Sequence, residues 1–262
     1  MRIYSVFGNP IIHSKSPFLH NYVFNALKID ARYVRFHLKS SKNFRDIFFN
    51  YGFNGANITL PFKEELIKFC DDLNPLAEKV NAINTIVKKD NKLIGYNTDA
   101  MGFFKNIENE NIKNALIIGA GGSAKAIAFI LRENNIETTI INRSPEKLEF
   151  FKKHNFFSLS TNNFNISNYD LIINATSSSI NNELPLEKNT LIKLFYNAKL
   201  AFDLMYGKKC EFLELAKKCN IKSIDGSKML LYQAIEASSI FLEMPYNEIS
   251  YIMQKAYKII NN

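Results

Sequence analysis

The sequence predicts an α/β protein of two domains. Segments with strand and helix periodicity alternate from the N-terminus onward. A polar stretch at residues 108–114 interrupts the alternation. Directly after it a glycine turn, Gly119-Ala-Gly-Gly122, joins a strand to a helix. At 262 residues the chain can hold one large domain or two of ordinary size.

Residues 3–7 read as a strand. Residues 17–27 have helical spacing, with Phe18, Leu19, Tyr22, Val23 and Ala26 on one face. Residues 32–38 alternate as a strand, 44–49 are helical, 56–59 are a strand and 64–70 a helix. Residues 82–87 and 92–96 flank Asp90-Asn91, a hairpin turn signal. A helix follows over 99–109. Beyond the polar break come a strand at 115–118, the glycine turn, an apolar helix to Leu131 and a strand ending at Arg143. Further strands are expected at 170–176, 199–205 and 221–224, and helices at 228–242 and 246–260. Strands alternating with helices imply a parallel sheet covered on both faces. The expected domains are 1–109, an α/β substrate-binding and catalytic domain, and 110–240, a nucleotide-binding domain. Residues 241–262 form a final helix folding back onto the first domain, and the active site is expected in the cleft between domains.

Composition narrows the class. No apolar run is long enough to span a bilayer, and residues 1–8 are too short for a signal-peptide core, so no membrane role and a cytoplasmic protein are expected. Cys70, Cys210 and Cys219 are odd in number and form no Cys-x-x-Cys. His13, His20, His37 and His154 show no metal-ligand spacing, so no metal is expected. The net charge of +8 comes from scattered lysines without interleaved aromatics, which argues against nucleic acid and leaves a solvated surface or anionic small molecules.

The glycine turn lets backbone N–H groups approach a pyrophosphate at a helix N-terminus. The pattern is Gly-x-Gly-Gly-x-x-x-Ala, with Ala126 as the third small position. An NAD site would place Asp or Glu at the end of the next strand. This chain has Asn142-Arg143 there, and an arginine grips a 2′-phosphate bidentately. The expected cofactor is therefore NADP.

Other residues have both functional and structural readings. Lys63, in Asn57-Ile-Thr-Leu-Pro-Phe-Lys63, leaves a strand end where open sheets bind ligands, or is a solvated first-turn lysine. Asp99, in Gly95-Tyr-Asn-Thr-Asp99, pairs with it for proton transfer, or it or Thr98 is an N-cap. Ser14-Lys-Ser-Pro17 reads as N-cap and N1, compatible with carboxylate binding by Ser14 and Ser16. Asn84 bonds a substrate hydroxyl or closes a turn. Gln233 shares a helix face with Met229 and needs a backbone or ligand partner.

Together with Asn81-Ala-Ile-Asn-Thr85, Asn174-Ala-Thr176, Asp203-Leu-Met-Tyr206 and Asp225-Gly226, these motifs resemble the shikimate dehydrogenases over essentially the whole chain. The resemblance implies a Rossmann-like C-terminal domain and reversible NADPH-dependent reduction of 3-dehydroshikimate to shikimate. It implies Lys63 and Asp99 as the catalytic pair. Ser14, Ser16, Thr59, Asn84, Tyr206 and Gln233 would bind substrate together with that pair. The cofactor would lie on Gly119, Ala120, Gly121, Gly122 and Ser123, with Asn142, Arg143, Ser144 and Lys147 around the 2′-phosphate and Leu204 and Gly226 along the nicotinamide. The chain is expected to be a monomer or homodimer. It departs from the family in Ser177-Ser-Ser179, where a glycine is usual, and in Lys125 and Lys147, where arginine is common. The alternatives are an NAD-dependent quinate/shikimate dehydrogenase and a non-catalytic regulator. Arg143 opposes the first and an intact Lys63 and Asp99 oppose the second.

Overall fold

The computed structural model describes residues 1–207 and 209–261. The chain packs as two compact units, Met1–Gly102 with Leu230–Asn262, and Phe103–Met229. The first changeover falls before the polar break because Phe103 is fully buried and meets Phe202 edge to face at 4.9 Å. The return begins at Leu230, ahead of residue 241, because Leu231, Ala234 and Ile235 pack with Leu19 and Val23 in one apolar cluster. Asn262, the end of the expected C-terminal segment, lies outside the described residues.

In chain order the first unit runs β1 (Arg2–Gly8), α1 (Ser16–Ala26), β2 (Ala31–His37), α2 (Phe44–Asn50), β3 (Phe53–Ile58), β4 (Asp72–Leu73), α3 (Pro75–Val80), β5 (Thr85–Lys89) and β6 (Lys92–Tyr96). Its sheet order is β2-β1-β3-β5-β6-β4. β1, β2 and β3 are parallel, while β5 runs antiparallel to both β3 and β6, so this sheet is mixed and contains the expected hairpin. The hairpin reverses the chain between β5 and β6. Asp90 and Asn91 have φ of +48° and +63°, the left-handed pair of a type I′ turn. Successive residues of β1 face opposite sides of the sheet: Phe7 enters one cluster with Phe44, Phe48 and Phe53, and Tyr4 and Val6 enter another with Phe24, Tyr33 and Phe241.

α4 (Asp99–Phe104) leads into the second unit. There follow β7 (Asn114–Ile118), α5 (Gly122–Glu133), β8 (Glu137–Asn142), α6 (Glu149–Lys153), β9 (Phe157–Ser160), β10 (Leu171–Asn174), α7 (Lys188–Phe195), β11 (Leu200–Asp203), α8 (Glu211–Lys218) and β12 (Lys222–Asp225). α9 (Ser227–Leu242) and α10 (Tyr246–Asn261) close the chain. The second sheet is wholly parallel in the order β12-β11-β10-β7-β8-β9. Its order reverses between β7 and β10, which opens a ligand crevice at their C-terminal ends.

The expected helix at 64–70 is instead a run of turns ending in one 3-10 turn, Ile67–Phe69. The carbonyl of Lys63 accepts from Ile83 N at 2.8 Å, so it is lost to an i→i+4 ladder. The helix from Asp99 also stops early, at Phe104, where Asn106 and Ile107 bond back only three residues. α3 was not anticipated, although its Asn74 cap accepts from Ala77 N at 2.9 Å and Pro75 follows.

One buried group ties stability to pH. His20, on α1, is fully buried and stacks on Tyr33 at 4.2 Å and 4°. Its Nδ1 shares a hydrogen with Ser238 Oγ at 2.7 Å, and Nε2 has no hydrogen bond of good geometry among the described residues. Burial pushes its pKa down from 6.5 to about 3, only partly offset by Asn57. Between these values the unfolded chain binds the extra proton. Stability is therefore complete above about pH 6.5 and falls as the solution is acidified, by about 1.4 kcal/mol per pH unit for this group. Urea unfolding at pH 7 and pH 5 should show a steeper loss in the native chain than in His20→Gln. Parallel losses would mean that His20 does not govern the acid limb.

Candidate functional site

The strand order of the first sheet gathers distant segments at one edge. β1 and β3 are parallel, with Phe7 opposite Ile58, so the segments after them emerge together. β5 is antiparallel to β3, with Asn57 opposite Thr85, so Asn84 lies at the same edge. Thr85 pairs with Tyr96, which brings the end of β6 there as well. Ser14, Ser16, Thr59, Lys63, Asn84 and Asp99 thus all stand on segments leaving or entering one edge.

At this edge Lys63 Nζ and Asp99 Oδ2 form an ion pair of 2.6 Å, with side chains 15% and 5% exposed. Such a buried pair needs further hydrogen bonds to offset the loss of water. Asn84 supplies one: its Nδ2 donates to Asp99 Oδ1 at 2.9 Å. The amide orientation is fixed because Oδ1 accepts from Thr98 N at 2.8 Å, a group that can only donate. Asn84 Nδ2 also reaches Thr98 Oγ1 at 2.8 Å and Gln233 Oε1 at 3.3 Å. Gln233 Nε2 donates to the carbonyl of Leu230 one turn back on α9.

Thr98 does not cap α4 with its side chain. Thr98 Oγ1 turns to Asn84 and to the carbonyl of Gln233 at 3.1 Å. Asn97 Oδ1 instead accepts from Asp99 N at 3.1 Å, while its amide holds the Ala82 carbonyl at 2.9 Å. Ser16 is likewise not a cap: it is the first residue of α1, the cap position is Lys15, and no side chain bonds there. Ser14 Oγ accepts from Ser16 N at 3.3 Å. The Ser14 carbonyl is gripped by Arg35 Nε and Nη2 at 3.0 and 2.6 Å. Thr59, half-buried, donates its N–H to the Phe7 carbonyl at 2.9 Å.

The second unit holds the remaining expected residues. Gly119 ends β7 with φ +115°, and a Cβ there would lie 3.0 Å from the Ala175 backbone. The turn therefore sits at the point where the strand order reverses. Gly121 caps α5, and a Cβ on it would meet nothing within 4 Å, which leaves open space before the helix. Ala120, Gly122 and Ser123 complete the turn and the first helical residues. Asn142 ends β8 and its Nδ2 donates to the Ser144 carbonyl at 3.0 Å. Arg143 and Lys147 are exposed, and among the described residues neither has a carboxylate partner. Lys125 is buried, with Nζ 4.3 Å from the centre of the Phe150 ring.

Leu204, Met205 and Tyr206 follow β11. A Cβ on Gly226 would lie 2.1 Å from the Leu204 carbonyl oxygen, so only glycine fits there. Buried Asp203 organises this loop, accepting from Met205 N at 2.8 Å, Asn174 Nδ2 at 2.7 Å and Ser179 Oγ at 2.7 Å. Ser179 therefore has a defined role in holding this loop. The supporting residues Asn57, Thr85, Thr98 and Asp203 were not foreseen as parts of a site. Thr85 and Asp203 are polar residues at strand ends, Asn57 is next to last in β3, and Thr98 lies two residues beyond β6.

Among the described residues no helix is long and apolar enough to cross a membrane, and no cluster of His, Cys, Asp or Glu is arranged to hold a metal. Residues 6–86 match the shikimate dehydrogenase substrate binding domain, and residues 104–204 match the shikimate/quinate 5-dehydrogenase family. The NADP(+) shikimate dehydrogenase of Helicobacter hepaticus is 46% identical over 261 residues, covering 98% of this chain and 97% of the relative. Shikimate dehydrogenase 1 of Peptoclostridium difficile superposes with a TM-score of 0.86 at 28% identity, covering 99% and 98% of the two chains. Shikimate 5-dehydrogenase of Thermus thermophilus, solved in complex with NADP(H) and shikimate, gives a TM-score of 0.80 at 26% identity over 98% and 100%. The chain belongs to the shikimate dehydrogenase family.

Proposed function

We propose that this protein reduces 3-dehydroshikimate reversibly to shikimate with NADPH, the first unit holding the substrate and the second the cofactor. The buried Lys63–Asp99 pair, oriented by Asn84 at the strand-end edge, carries this reading. Bound NADPH supplies a hydride. Hydride addition to a carbonyl builds negative charge on its oxygen. The Lys63 ammonium stabilises that charge and donates the proton, and Asp99 orients Lys63 and accepts from a neighbouring ring hydroxyl. Ser14 and Ser16 hold the carboxylate, and Thr59, Asn84, Gln233 and Tyr206 contact the ring.

The second unit fits a phosphorylated dinucleotide. The open space at Gly121 would admit a pyrophosphate onto the N-terminus of α5, and Asn142 and Ser144 would hold the adenosine ribose. Arg143 and Lys147 would hold the 2′-phosphate, and Leu204 and Gly226 would hold the nicotinamide. Unpaired cysteines at 70, 210 and 219 agree with a reducing, cytoplasmic setting.

Turnover of shikimate with NADP and with NAD tests the reading. The native chain should favour NADP, and quinate should be the poorer substrate. Arg143→Ala should raise KM for NADP tenfold or more and leave KM for NAD little changed, since a charge-assisted pair contributes roughly 1.5–3 kcal/mol. Equal losses for both cofactors would remove Arg143 from the phosphate site.

Ser16→Ala separates binding from capping. Because the Ser16 side chain caps no helix, Tm should stay near native while KM for shikimate rises by about fivefold or more. A fall in Tm with unchanged KM would refute the carboxylate role.

A further inference from the structure

The proton of the Tyr33 hydroxyl begins a one-way series of hydrogen bonds that ends on the proposed catalytic pair. Tyr33 Oη donates to Asn57 Oδ1 at 2.6 Å. Asn57 Nδ2 donates to Thr85 Oγ1 at 3.0 Å. Thr85 Oγ1 donates to Asn84 Oδ1 at 3.2 Å. Asn84 Nδ2 donates to Asp99 Oδ1 at 2.9 Å, and Asp99 Oδ2 pairs with Lys63. Every member before Lys63 is at least nine-tenths buried.

The direction is set by chemistry. Asn57 Nδ2 also faces the Asn84 carbonyl at 3.2 Å, and a carbonyl can only accept, so Asn57 Oδ1 must face Tyr33. Asn84 is fixed in the same sense by Thr98 N. An amide that accepts at its oxygen becomes a stronger donor at its nitrogen, and a hydroxyl that accepts becomes a stronger donor in turn. The series therefore delivers its polarisation to the Asp99 carboxylate.

We propose that Tyr33 and Thr85 are positioning residues for the reduction, acting through Asn57 and Asn84 on Asp99 without touching substrate. The proposal rests on Lys63 and Asp99 being the proton-transfer pair. Tyr33 lies on β2, with β1 and β3 between it and β5, the strand that Asn84 precedes. The stack on His20 fixes its ring, so removing the hydroxyl leaves the packing in place.

The test uses Tyr33→Phe, Thr85→Val, Thr85→Ser and the Tyr33→Phe/Thr85→Val double variant. kcat and KM for shikimate are measured at saturating NADP, alongside Tm. Tyr33→Phe and Thr85→Val should each lower kcat about five- to tenfold with KM within about twofold. Thr85→Ser keeps the hydroxyl and should retain most of kcat. The double variant should lose little beyond the worse single one, because both break one series. Native kcat in Tyr33→Phe and Thr85→Val, whatever their Tm, would overturn the proposal. Equal loss in Thr85→Ser and Thr85→Val, or losses that multiply, would do the same. Lys63→Ala and Asp99→Asn in the same assay separate the two readings. If they keep kcat, the proton-transfer pair itself is wrong. If they lose it while Tyr33→Phe does not, only the positioning role falls.

Discussion

The site is organised around a lysine and a carboxylate held together out of water. Burying Lys63 and Asp99 removes hydration from both, and a 2.6 Å contact alone does not offset that. Much of the surrounding first unit acts to satisfy Asp99. Asn84 donates to one oxygen and Lys63 to the other, and Asn97 takes the backbone N–H. Asn84 serves because Thr98 N fixes its amide. Thr98 in turn reaches the Gln233 carbonyl on α9, which explains why the chain returns to this unit from Leu230. The mixed sheet has the same logic. Without the antiparallel β5–β6 hairpin, Asn84 and Asp99 would not share an edge with Lys63.

The second unit meets a different constraint, which is close approach of backbone. Gly119 and Gly226 stand where a side chain would strike the main chain of Ala175 or Leu204, while Gly121 borders open space. Tight glycines bring loops together at the strand-order reversal, and the open one leaves room for a ligand. Asp203 fastens the Leu204–Tyr206 loop to the Asn174–Ser179 segment through four donors, Cys210 Sγ at 3.2 Å among them. Ser178 and Ser179 thus stand in a bonded polar arrangement with Asn174, Thr176 and Asp203.

The second sheet was largely legible in the sequence, because buried parallel strands read as apolar runs and the glycine turn marks the first crossover. The hairpin at Asp90-Asn91 was legible for the same reason of local chemistry. Residues 64–70 were misread because helical spacing cannot reveal that Ile83 captures the Lys63 carbonyl. Ser16 looked like a cap because serine before proline usually is one, yet the helix begins one residue earlier. Lys63 and Asp99 were visible as strand-end residues. Their support from Tyr33, Asn57 and Thr85 was not, because a buried hydrogen-bond series depends on strand order across the sheet rather than on neighbours in sequence.

The account stands on Lys63 and Asp99 acting as one unit, and the four-variant kcat cycle addresses that most directly. Native chain, Lys63→Ala, Asp99→Asn and the double variant are compared at one pH, with folding checked separately. Lys63→Ala should cut kcat by about 10²–10⁴-fold with a much smaller change in KM, and Asp99→Asn should also be severe. The double variant should lose little more than the worse single one. Near-native kcat in Lys63→Ala, or two losses that simply multiply, would contradict the account.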